Sequence, residues 1–427
     1  MPMSKPKRHL LTTMLRLLTA MPCLLTTPMT ARNVVYDPQV KSLQAVVNND
    51  WLSPAVMRLG TDDVLHIGFD ELSHQYNRYI YKVEHCEADW SPSEELFESN
   101  WMEGFNNNPI DTYEHSVNTT FAYTHYSLDI PNSMMRLKMS GNYRLHIYKN
   151  GDEEQEVATV DFRVTEQSMP LTLTATTNTD IDTNLSHQQV SVALVHQGFR
   201  IVNPEEQIRL VVMQNGREDN LRQNLKPTII GPGMMEWTHH KGLIFDAGNE
   251  YHKFEILDVS HPTMGIETIH WDNDERVFEA APFISEPRPH YLYDEDADGA
   301  FYIRNSDNWE NNTTSDYVWV NYRLRSPRLT EGSIVIDGQW TTDSEPRNYE
   351  MTYDDAQQLY TARLLQKQGY YSYQYLWRHA DGTTGILPSE GSFYQTENRY
   401  QAFVYFRGIG DSTWRLTAYL QMELKSQ

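Results

Sequence analysis

The ten residues YKVEHCEADW, Tyr81 to Trp90, hold His85, Cys86, Glu84, Glu87 and Asp89. Such a set could ligate a transition metal, or pair a thiolate with an imidazole base for nucleophilic catalysis. Either chemistry needs the imidazole and the thiol to converge on one point. The surrounding pattern is that of a strand, with Tyr79, Tyr81, Val83 and His85 on one face and Ile80, Lys82, Glu84 and Cys86 on the other. His85 and Cys86 therefore diverge unless a bulge intervenes, and Glu84, Glu87 and Asp89 match no common ligand spacing. The expected reading is a structural strand ending in a turn at EADW. Trp90 then packs back over the core and Cys86 behaves as a small buried hydrophobe.

A second candidate is DEDADG, Asp294 to Gly299, where Asp294, Asp296, Asp298 and Gly299 fit the first half of a calcium-binding loop. The twelfth position is Asn305 rather than a bidentate glutamate, and the flanking YLY and AFYIR are strand-like. An acidic hairpin turn is the expected form. The adjacent His239 and His240 lack a carboxylate at ligand spacing and read as turn residues. No Gly-x-Ser-x-Gly elbow, phosphate-cradling loop or His-Glu-x-x-His helix occurs. Asn118 and Asn312 open NTT sequons that matter only in a eukaryotic secretory route. The residues thus assign no catalytic, cofactor-binding or metal-binding role, and the chain is not expected to be an enzyme.

The elements that would position these residues are strands. Aromatics make up 12% of the chain, with 26 tyrosines, and short alternating runs such as RYIYKVEH, YRLHIYK, IRLVVMQ, YVWVNYRL and YYSYQYLW recur between Gly, Pro, Asn and Asp clusters. The only helical signal is a short one in SPSEELFESNW, with Ser91 or Ser93 as its cap. The expected fold is all-β, built from tandem immunoglobulin-like or early-set β-sandwiches. The expected units are residues 32–165, 166–286 and 287–427. The last boundary rests on the three prolines of FEAAPFISEPRPHYLY.

The first 31 residues read as an export signal: Lys5, Lys7 and Arg8 precede an apolar stretch, and Ala31 supplies a small cleavage residue. Cys23 lacks the small preceding residues of a lipid-attachment site, since Met21 and Pro22 stand there. With the leader removed, Cys86 is the remaining cysteine, so burial rather than disulfides must hold the fold. The net charge of −23 repels nucleic acid and anionic lipid, and no later run is long and apolar enough for a membrane helix. A soluble exported protein is expected, without direct membrane insertion and without nucleic acid.

The opening stretch belongs to a longer pattern. YKVEHCEADWSPS, GFNNNPIDTYEHSVNTTFAYTHYSLDIPN, SGNYRLHIY and DFRV resemble the first domain of the plug protein of the bacterial type IX secretion system. Cys86, Trp90, Gly104, Ser116, His125, Tyr126, Pro131 and Ser140 to Tyr143 carry that resemblance. HQQV at His187 to Val190, QNGREDN at Gln214 to Asn220 and AGNEYHKFE at Ala247 to Glu255 are similar to the family's middle region. In the last of these, Tyr251-His252-Lys253 departs from the family's aromatic-arginine pattern. YLYDEDADGAFYIRN, SDYVWVNYRL and YQAFVYFRGIGDSTWRLTAY are similar to its tail.

The resemblance implies a periplasmic protein, monomeric when free, whose partner is a very large outer-membrane β-barrel translocon. It would occlude that barrel's periplasmic opening in the absence of cargo, and no cofactor or catalytic residue comes with the family. Surface tyrosines would suit the protein–protein face. A rival reading is a carbohydrate-binding or accessory sandwich protein of the cell envelope. Gly338 to Leu376 resembles an early-set domain of glycan-active proteins, and Trp340, Tyr360 and the tyrosines from Tyr370 to Tyr375 could stack on sugars. The alternation of YYSYQY favours core filling over stacking.

Overall fold

The computed structural model describes residues 32–150 and 152–425. The export signal expected over residues 1–31, including Cys23 and Ala31, lies outside them. Nearly every described element is a strand, and three hydrophobic cores account for most of the buried apolar residues. No helix among the described residues is long and apolar enough to cross a membrane.

The first sandwich packs two antiparallel sheets face to face. One runs Val34–Val35, Glu156–Thr165, Gly141–Lys149, Tyr79–Cys86 and Asn108–Ile110, with Val56–Arg58 added in parallel to Glu156–Thr165. The other runs Val40–Val47, Leu65–Glu71, Thr124–Ile130 and Thr112–His115. Side chains alternate across a pleated strand, so Tyr79, Tyr81 and Val83 enter the core while Lys82 and Glu84 stay half-exposed. Leu65, Ile67, Phe69, Tyr126, Leu128 and Ile130 meet them from the opposite sheet. The Phe69 and Tyr126 rings stack with centroids 5.2 Å apart.

In the second sandwich, Leu171–Thr176, His187–Val195, Met234–Trp237 and Ile229–Gly231 form one sheet, and Ile244–Asp246 also pairs with His187–Val195. The facing sheet is Ile208–Gln214, Asn398–Phe406 and Arg415–Leu424. The third sandwich sets Ile266–Asp272, Val277–Pro282, Tyr317–Leu324, Leu359–Lys367 and Thr352–Asp354 against a sheet built around Gly369–Arg378.

This pairing divides the chain differently from a linear cut at residue 286. Strands on both sides of that point share one sheet, Val277–Pro282 lying parallel to Tyr317–Leu324. The last strands return to the second sandwich, in register from Ile208↔Phe406 to Gln214↔Tyr400. The third sandwich is therefore an insertion within the second. Alternation tells a strand which face to bury but not which neighbour to take, so a proline-rich crossing resembled a boundary.

The short helix lies at Glu98–Trp101, after Phe97 rather than after Ser91 or Ser93. Both serines are committed elsewhere: Ser91 Oγ donates to Asp89 Oδ1 at 2.6 Å, and Ser93 Oγ donates to Glu87 Oε1 at 2.7 Å.

Candidate functional site at the junctions between sandwiches

Several buried charged and polar side chains lie where one sandwich meets another. At the first junction, an apolar cluster joins Ala88 to Val211, Met213, Phe403, Tyr405, Trp414 and Leu416 of the second sandwich. Arg163, on strand Glu156–Thr165, threads it: its guanidinium carbon lies 4.9 Å from the Trp90 ring centre and 4.4 Å from that of Phe403. A desolvated cation between two aromatic faces contributes on the order of 2 kcal/mol. Arg163 Nη2 donates to Glu218 Oε1 at 3.0 Å and Nε to Tyr405 Oη at 3.3 Å, and Tyr405 Oη donates to Asn142 Oδ1 at 2.8 Å.

The opening stretch and SGNY meet here. Asn142 Nδ2 donates to the Glu87 carbonyl at 2.9 Å, while Glu87 Oε2 accepts from Trp414 N at 3.2 Å. His85 Nδ1 lies 2.8 Å from Ser93 Oγ, and Ser93 Oγ lies 3.3 Å from Thr413 Oγ1. Burial lowers the His85 pKa and so keeps the ring neutral. Gly141 leaves the space that His85 occupies: a Cβ there would stand 2.4 Å from His85 Nε2, and the ring would have to shift. Trp90 takes a left-handed φ of 67°, closing the EADW turn with a hydrogen bond from Trp90 N to Glu87 O.

At the second junction Asp70, on Leu65–Glu71, is fully buried beneath the third sandwich. Its Oδ2 accepts from Lys367 Nζ at 2.6 Å and Tyr317 Oη at 2.7 Å, and its Oδ1 lies 2.7 Å from His125 Nδ1. Burial pushes the Asp70 carboxyl up, but Lys367 and His125 outweigh it and leave the pKa lowered. Burial also pulls the Lys367 ammonium down against the attraction of Asp70. Lys367 Nζ lies 4.1 Å from the Tyr123 ring centre and also donates to the Asn312 carbonyl at 2.6 Å. Tyr123 Oη donates to Ser315 O at 2.8 Å, and Asp316 Oδ2 accepts from Thr120 N at 2.7 Å.

At the third junction, between the second and third sandwiches, the acidic DEDADG segment packs down as an irregular stretch leading into strand Phe301–Ile303. It is not a hairpin turn, because the preceding residues 291–293 do not form a strand. Its carboxylates take different partners. Asp294 meets Lys253 Nζ at 2.6 Å, Asp296 accepts from Tyr251 N and Asp298 N, and Asp298 lies 3.3 Å from Arg399. Nearby Glu250 accepts from Tyr291 Oη at 2.6 Å, and burial pushes its carboxyl up to about 7. Burial likewise raises Asp296 and Asp298.

The structure separates the candidate pair of the opening stretch as the strand geometry requires. His85 stacks edge-on against Tyr143 at 5.0 Å, while Cys86 packs with Trp90, and burial pushes the Cys86 thiol well up. His239 faces Asp180 at 2.8 Å, and His240 Nδ1 accepts from Gly242 N at 3.0 Å, capping a turn. Among the described residues, no group of three or more His, Cys, Asp or Glu side chains is placed to hold a metal.

The expectation of many surface tyrosines is corrected: Tyr79, Tyr81, Tyr123, Tyr126, Tyr143, Tyr317, Tyr322, Tyr375, Tyr400 and Tyr405 rank among the largest fully buried side chains. Tyr371, Tyr373 and Tyr375 fill the third core and present no ring to a sugar. Sequence reasoning missed Asp70, Arg163, Glu250 and Lys367. Each is a charged residue on or beside an ordinary strand; Arg163 in DFRV, Glu250 in AGNEYHKFE and Lys367 within Gly338 to Leu376 stand in segments that drew notice, but nothing local marked those side chains themselves.

Three sandwiches cross-linked by buried hydrogen bonds, ion pairs and apolar contacts define an all-β, multi-sandwich protein. Residues 40–166 match the family model of the Type 9 secretion system plug protein 1st domain. The chain is 34% identical to a hypothetical protein from Parabacteroides merdae ATCC 43184, solved by crystallography at 2.30 Å. The alignment covers 93% of this chain and 100% of that one, with a TM-score of 0.89. An alkylpurine DNA glycosylase, AlkC, from Pseudomonas fluorescens aligns over 31% of this chain and 30% of its own at 12% identity, and its TM-score of 0.17 carries no argument. No curated protein matches.

Through residues 40–166 the chain belongs to the type IX secretion system plug domain family. That membership ties it to the secretion machinery of the cell envelope and points to a structural rather than a catalytic protein. Much of the family signature falls on the junctions: Trp90, His125, Ser140 and Asn142 bond or pack at them. Gly104 and Tyr126 serve the first sandwich itself. A Cβ at Gly104 would lie 2.0 Å from the Met134 carbonyl, and Tyr126 Oη donates to Asn77 O at 2.9 Å.

Proposed function

We propose that this chain is the periplasmic plug subunit that binds the outer-membrane β-barrel translocon and occludes its periplasmic opening when no cargo occupies the pore. The observation that carries this reading is the match of residues 40–166 to the plug family model. A barrel wide enough for folded cargo leaks solutes unless something fills its mouth. A stopper must resist deformation, and sandwiches tied by buried charged contacts such as Asp70–Lys367 and Arg163–Glu218 meet that requirement. The reading includes export by the residues 1–31 leader and a monomeric free state.

The test is co-purification. A tagged chain expressed from its own locus should bring down one very large outer-membrane barrel after detergent extraction. Its deletion should admit large antibiotics while the barrel remains. Recovery of no barrel, or unchanged permeability in the deletion strain, overturns the proposal.

A further inference from the structure

The first described residues tie the first sandwich to the 341–344 loop of the third. Val34–Val35 pairs antiparallel with Glu156–Thr165, and Asn33 Oδ1 accepts from Asp161 N at 3.1 Å. From that edge the same residues reach across. Val35 N donates to Thr342 O at 2.7 Å, Ser344 N donates to Val35 O at 2.9 Å, and Arg32 Nη2 donates to Thr341 O at 2.7 Å. A chain end frays unless something holds it, and here the hold extends to the backbone nitrogen of Arg32. That nitrogen donates to Asp161 Oδ2 at 3.0 Å.

Asp161 is buried and already engaged. Arg144 meets it fork to fork, Nε on Oδ1 and Nη2 on Oδ2, both at 2.7 Å. A carboxylate offers about four acceptor sites, so a further donor fits, and a charged donor binds it more strongly than a neutral one. An amide nitrogen at position 32 supplies one neutral N–H. A free α-amine there supplies a cation with three. The net charge of −23 favours the added cation.

We propose that export processing cuts the Ala31–Arg32 bond and that the new Arg32 α-ammonium pairs with Asp161, closing a clasp between the first and third sandwiches. The inference rests on the reading of residues 1–31 as an export leader. An export peptidase adds one water across the amide. Ala31 keeps the carbonyl carbon and leaves as a carboxylate, while Arg32 keeps the nitrogen, which takes up a proton. The position of the cut matters. A chain starting at Asn33 loses both Arg32 contacts, and each residue left upstream carries the charge about 3.8 Å further along the chain from Asp161.

The experiment takes the chain from the envelope of its own host. Intact mass and N-terminal sequencing should give a start at Arg32. A retained leader overturns the export reading and this proposal together, whereas a start at another residue overturns the proposal alone. The native chain is then acetylated at pH 8 and its N-terminal peptide read by mass spectrometry. The Arg32 amine should react at least threefold more slowly than in the Asp161→Asn chain, because the carboxylate holds it protonated. If Asp161→Asn does not fold, a chain released from a fusion to begin at Arg32 is compared with one carrying a Gly-Ser extension. Hydrogen exchange at the Val35 and Ser344 amides should then be at least threefold faster in the extended chain. Equal amine reactivity, or in the second comparison equal exchange, overturns the clasp and leaves the export reading intact.

Discussion

Asp70 and Lys367 stand 297 residues apart in the chain, yet their carboxylate oxygen and ammonium nitrogen lie 2.6 Å apart, closed off from water between the first and third sandwiches. The pair binds a strand of the family-matched domain to one outside it, and its surroundings complete it. Tyr317 and the Asn312 carbonyl take the remaining hydrogen bonds, and His125 holds the second Asp70 oxygen.

Removing Lys367 leaves the buried Asp70 carboxylate with only the His125 ring and the Tyr317 hydroxyl against its charge. Lys367→Met is therefore expected to lower the unfolding free energy by about 3–5 kcal/mol, and the Asp70→Asn, Lys367→Met double variant to recover much of that. Urea denaturation reads both. A single variant that loses under about 1 kcal/mol would show that water reaches the pair.

At the first junction, the missing side chain of Gly141 is the space that His85 fills. Gly141→Ala should cost about 1–3 kcal/mol by forcing the ring aside. Combining it with His85→Ala should cost less than the two single changes together, measured as a double-mutant cycle by thermal or urea unfolding. Strict additivity would refute the contact.

Cys86 should behave as an inert hydrophobe despite its histidine neighbour. Burial keeps the thiol protonated, so a thiol-reactive chromophore at pH 8 should label under a tenth of native molecules in minutes and essentially all of them in denaturant. Rapid native labelling would place the thiol at the surface.

Glu250 gives a pH test with a definite sign. Its carboxyl is raised from 4.5 to about 7 in the folded chain by burial. The stability it contributes is full below the ordinary carboxylate pKa and is lost as pH rises through about 7. The difference in melting temperature between wild type and Glu250→Gln should therefore move steadily against the wild type from pH 5 to 8. The underlying change is roughly 3 kcal/mol at most. A difference that stays flat across that interval would mean the carboxyl is solvated.

Legibility in the sequence followed the range of the interaction. The strand at Tyr79–Cys86, the turn at EADW and the opposite facing of His85 and Cys86 follow from a two-residue period and local turn chemistry, which ten residues suffice to display. The signature residues were visible as a set, but their shared place at the junctions was not. Arg163 reads as one more charged residue on a strand until Trp90 and Phe403 close over it from separate parts of the chain.

The sequence by itself determined the all-β class and which face of each strand turns inward, because alternation is written residue by residue. Tertiary structure alone decided that the final strands complete the second sandwich, that Asp70 finds Lys367, and that Arg163 packs against Phe403. Those outcomes depend on pairings between segments some two to three hundred residues apart, and hydrogen-bonding edges and buried charges carry no local mark of the partner they will meet.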